Sequence, residues 1–113
     1  TMRGPKQESV LRKLEDVPEF LGNLYTLIRS EELDEASAQI SLVGAASIKV
    51  RDEIFRQADV EKLTPLLMRR LLSVTTRDKK TLRCRQSFFN KAFDDISRKQ
   101  GETVASRLVG NLF

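Results

Sequence analysis

Apolar residues recur along this chain at intervals of three and four in six successive stretches, and no stretch alternates apolar and polar residues with period two. The first spacing lines up one face of a helix, whereas a half-buried strand needs the second, so the pattern predicts an all-α chain. Residues 1–15 read as a frayed N-terminal segment, with a turn or two over 8–14, and residues 16–113 as a single helical domain. The densest run spans 64–73. Thr64 can cap it, Pro65 suits the first helical position, and Leu67, Leu71 and Val74 share a face that Leu66 and Leu72 widen, which calls for cover on more than one side. A first helix is expected from Asp16 to about Ser30, with Asp16 and Glu19 placed for reciprocal capping and Phe20, Leu21, Leu24, Leu27 and Ile28 inward. Its Gly22 either weakens it or marks a close helix contact. A second starts at Asp34 or Ser37 and runs to Ala46, and a third covers about 50–58 with Val50, Ile54, Phe55 and Ala58 inward. Residues 75–78 read as a connection. The fifth helix begins at Lys79 or Thr81, ends near Arg98, and places Leu82, Phe89, Phe93 and Ile96 in the core with Phe88 beside them. Gly101 breaks the chain before a last helix over 102–111.

Five to six such helices joined by short connections fit antiparallel helical hairpins, either a small bundle or a short α-solenoid fragment. Residues 51–57 (RDEIFRQ) and 85–91 (RQSFFNK) align at an offset of 34, and 68–72 aligns with 105–109 behind them. A period near that length with two helices per unit belongs to helical repeats. On Ser41 to Ala46, Arg51 to Phe55, Leu66 to Leu72 and Gln86 to Phe89, the chain resembles degenerate helical-hairpin repeats of the pentatricopeptide, octatricopeptide and FAST-type families. That resemblance implies RNA binding without catalysis.

Composition sharpens this in three ways. A length of 113 residues lets a chain bury roughly two thirds of its unfolded surface, enough for a core of its own. One cysteine, Cys84, allows no internal disulfide and favours an intracellular, reducing compartment, and no apolar run approaches a membrane span. Histidine is absent, which removes the commonest general base and metal ligand. The chain is therefore expected to be non-enzymatic, with no cofactor and no metal. Glu31, Glu32, Asp34 and Glu35 lack the alternation and glycine of a calcium loop and read as helix-capping acids. Cys84, between two arginines, is a candidate for a lowered thiol pKa but reads first as a packed residue.

Charge supplies the one functional signal. From 69 to 85 seven cations (Arg69, Arg70, Arg77, Lys79, Lys80, Arg83 and Arg85) stand against Asp78 alone, a local charge of +6 in a chain whose net is +4. Clustered cations suit an anionic partner, and cations at a helix start oppose the helix dipole, so stabilisation explains them poorly. Nucleic acid, RNA above DNA, bound by these seven is the first expectation. An acidic protein surface bound by the same cations is expected on the same footing, and the rival is a protein-interaction or oligomerisation module that docks a partner or a second copy through an apolar helix face such as the last helix, within a larger complex or a homo-oligomer.

Overall fold

Thr64 accepts the Leu67 amide at 3.2 Å and Pro65 opens the helix behind it, as the local sequence requires. The computed structural model describes residues 10–74 and 82–112; the expected fraying over 1–6, the connection at 75–78, and Phe113 lie outside the described residues. Six α-helices follow in order: α1 Val17–Arg29, α2 Leu33–Ser41, α3 Ile48–Gln57, α4 Pro65–Ser73, α5 Leu82–Gln100 and α6 Glu102–Val109. Short 3-10 turns lie at Leu14–Asp16, Leu42–Ala45, Val60–Lys62 and Gly110–Leu112. There is no strand among the described residues.

The helices form two layers. α1 packs on α3 and α3 on α5; α2 packs on α4 and α4 on α6; α1 with α2 and α5 with α6 close the outer hairpins. Between the layers lies one core, containing Phe20, Leu24, Ile40, Ile54, Phe55, Met68, Leu71, Leu72, Phe88 and Ile96. The Phe55 and Phe88 rings meet at 5.5 Å and 54°, the tilted geometry that aromatic quadrupoles prefer, and so fasten α3 to α5.

Several boundaries depart from expectation for identifiable reasons. Of the expected turn over 8–14, residues 8 and 9 lie outside the described residues, residues 10–13 are irregular and the 3-10 turn begins at Leu14. The Asp16 carboxylate accepts the Arg12 and Lys13 amides at 2.8 and 3.0 Å, so it holds the chain behind it and does not cap α1. α2 starts one residue before Asp34, and its expected last turn tightens into 3-10 geometry from Leu42. Ser47 caps α3 by accepting the Val50 amide, which moves that start two residues earlier. α1 closes with the Glu31 amide donating to the Ile28 carbonyl and the Glu32 amide to that of Leu27, a Schellman arrangement with Glu31 at φ 61°. Gly22 is exposed with open space where a Cβ would stand, so it marks no helix contact.

α5 is rotated from its expected setting. Phe88, Ala92 and Ile96 are fully buried, whereas Phe89 and Phe93 lie on the flank, half-buried and tilted against each other at 6.0 Å. At about 100° per residue the core-facing line sits roughly 70° from the one drawn through Phe89 and Phe93. Ala92 gives a narrow point of approach on the buried line, and Arg85 and Asp95, both buried, share it. Two charged residues made that line look polar in sequence.

Candidate nucleic-acid interface

The seven predicted cations divide by what their side chains touch. Arg85 is only 4% exposed, and its Nη2 donates to the Leu72 carbonyl at 3.4 Å and to the Leu112 carbonyl at 3.5 Å. Those carbonyls belong to the last turn of α4 and the end of the final 3-10 turn, where helices leave acceptors without intrahelical partners. Arg85 therefore does not face an outside phosphate, contrary to expectation. Burying its guanidinium is compensated by donation to helix-end carbonyls, which carry the negative end of the dipole.

Arg51 does the equivalent job one hairpin earlier. Its Nε donates to the Ala46 carbonyl at 3.0 Å and its Nη2 to that of Gly44 at 3.3 Å, closing the turn that ends α2. Arg51 and Arg85 are each the fourth residue of their helix, α3 and α5, and lie 34 residues apart. The spacing was visible in sequence, but its meaning required the carbonyls.

Arg69 is half-buried and its Nη1 donates to the Leu108 carbonyl at 2.6 Å, tying α4 to α6. It too is engaged within the fold. Arg70, in the last turn of α4, and Arg83, in the first turn of α5, are exposed. Neither has a carboxylate partner among the described residues. Each stands two positions before a member of the Leu72–Arg85 bond, so the two flank the place where α4 and α5 meet. Arg77, Lys79 and Lys80 fall between them in sequence and lie outside the described residues.

Other candidate chemistry resolves into structure. Cys84 is half-buried, and its Sγ accepts a hydrogen bond from Arg56 Nη1 at 3.0 Å. Donation to Glu53, and secondarily the field of Cys84, raises the Arg56 pKa. Asp34 and Glu35 occupy the first turn of α2, where acids favour the helix dipole. Buried Asp95 meets Lys99 at 3.1 Å and Arg98 at 3.6 Å, and Glu61 reaches the same two cations at 3.3 and 3.7 Å, pinning the Val60–Lys62 turn to α5. No group of three or more acidic or cysteine side chains among the described residues is placed to hold a metal. None of the described helices is long and apolar enough to cross a membrane.

One surface was missed. Leu66 is 67% exposed and Leu33 47%, and both line a groove of about 490 Å³ between α2 and α4, with Asp34, Ser37, Thr64, Leu67, Arg69, Arg70 and Ser73. Leu66 does not widen the core face of α4 as expected. At about 100° per residue it shares a stripe with Arg70 and Ser73, opposite the buried line of Leu67, Met68, Leu71 and Leu72. Its company on the helical wheel was the available signal. Comparison with protein-family models, curated proteins and solved structures finds no match to this chain.

Proposed function

We propose that this domain is a non-enzymatic helical-hairpin module that binds nucleic acid, RNA above DNA, through the junction of α4 and α5. The observation that carries the reading is the division of the cations. Those with identified roles inside the fold, Arg69 and Arg85, donate to backbone carbonyls, whereas Arg70 and Arg83 flank the junction in solvent with Arg77, Lys79 and Lys80 between them in sequence. Five cations over fourteen residues, of which Arg70 and Arg83 are exposed, suit phosphates, which long cationic side chains contact without sequence readout. Sequence preference would then come from other surfaces, since phosphate contacts position a strand without reading it.

The test is charge reversal at the junction. The triple variant Lys79→Glu, Lys80→Glu, Arg83→Glu should lose binding to a labelled single-stranded RNA while its helical circular dichroism and melting temperature stay near those of the parent. Retained binding in a folded triple variant would remove the reading.

A further inference from the structure

Exposed leucines are ordinary singly and informative together. Leu33 and Leu66 come from different helices yet line the same groove, and both are about half exposed or more. The groove follows α4 from Thr64 at its cap to Ser73 in its last turn, roughly 13 Å at the rise of an α-helix. Its volume of about 490 Å³ accommodates a few side chains. Charge is distributed unevenly along it. Arg69 and Arg70 lie one turn beyond Leu66 on the α4 wall, and Asp34 lies beside Leu33 on the α2 wall.

We infer that this groove docks a short amphipathic segment of a partner protein, with a large apolar side chain seated on Leu33 and Leu66 and a carboxylate one helical turn away against Arg70. The chemistry selects the class of occupant. Two leucines offer phosphates nothing and Asp34 repels them, so a nucleic-acid strand gains little here. A segment that is apolar throughout would leave Arg70 unpaired at the rim, and a basic one would face both arginines. An apolar anchor with an acid four positions away satisfies both the leucines and Arg70, with the acid on the α4 wall away from Asp34 on the α2 wall. The groove shares Arg70 with the nucleic-acid reading, whereas Leu33 and Leu66 take no part in the cationic junction.

Selection from a display library of random twelve-residue peptides against the full chain tests this. Binders should be enriched in leucine or phenylalanine with aspartate or glutamate three or four positions away. Leu66→Ser should weaken a selected peptide about tenfold or more, the loss expected of an interface anchor worth roughly 1.4 kcal/mol. Because Leu66 lies outside the core, this variant should melt like the parent and bind RNA unchanged, while Lys79→Glu with Lys80→Glu should leave the peptide bound. Binders without acidic enrichment, binders indifferent to Leu66→Ser, or a library yielding none would overturn the proposal. So would sedimentation showing a dimer that Leu66→Ser dissociates, since the occupant would then be a second copy.

Discussion

Arg83 and Arg85 are separated by one residue and do opposite things. Arg85 turns inward to two carbonyls, so Arg85→Ala leaves helix-end acceptors without their donor and should cost about 1–3 kcal/mol, read from chemical denaturation. Arg83→Ala should change stability by no more than about 0.5 kcal/mol, as exposed substitutions usually do. Equal losses in the two variants would contradict the assignment. Composition made these residues alike, and only the position of the α4 carbonyls separates them. The alignment of Arg51 with Arg85 held that information, yet a side chain's hydrogen-bond partner across two helices is not written in local spacing. Leu66 carries the same lesson in reverse: in a run this apolar, periodicity assigned it to the core, although its wheel neighbours are Arg70 and Ser73.

At the scale of single helices, type and order were legible and rotation was not. Caps and breakers such as Thr64, Pro65, Ser47 and Gly101 bound their helices locally, but the setting of α5 depends on what α3, α4 and α6 present to it. Phe88→Ala should therefore cost about 3–5 kcal/mol, and Phe93→Ala distinctly less because its ring already meets solvent. Thermal melts in the reverse order would return α5 to the rotation drawn from sequence. α1 has two improvable positions. Gly22→Ala meets open space within a helix and should add up to about 1 kcal/mol, and Glu31→Gly should relieve a left-handed residue by a similar amount, both measured by urea denaturation. The turn before α1 reports on pH. Amide donation from Arg12 and then Lys13 lowers the Asp16 pKa below its ordinary 3.8, so its folded-state contribution is present above that value and is lost as pH falls through the lowered one. Arg12 and Lys13 amide shifts should move with a midpoint below 3.8 on acidification; a midpoint above it would show that the carboxylate is not held.

At the scale of the molecule, the six helices of the described residues build one core in two layers, and the described charged groups divide between bracing that core and facing solvent. Arg51, Arg69 and Arg85 close helix ends, and Asp95 with Lys99, Arg98 and Glu61 fastens a turn to α5. The all-α class was legible because helical periodicity is a local property that each stretch carries by itself. The division of the cations was not, because it depends on which helix end each guanidinium reaches. The central claim is that exposed Arg70 and Arg83, together with Arg77, Lys79 and Lys80 between them in sequence, engage phosphates, and counterion release measures it directly. Anisotropy of a labelled single-stranded RNA, titrated between 50 and 200 mM salt, should give a log–log slope near −3.5 if all five cations take part, at about −0.7 per neutralised phosphate. The Lys79→Glu, Lys80→Glu, Arg83→Glu variant should lose binding or flatten to about −1.4 or less by the same relation. A parent slope near zero, or a steep slope unchanged in the folded triple variant, would contradict the account.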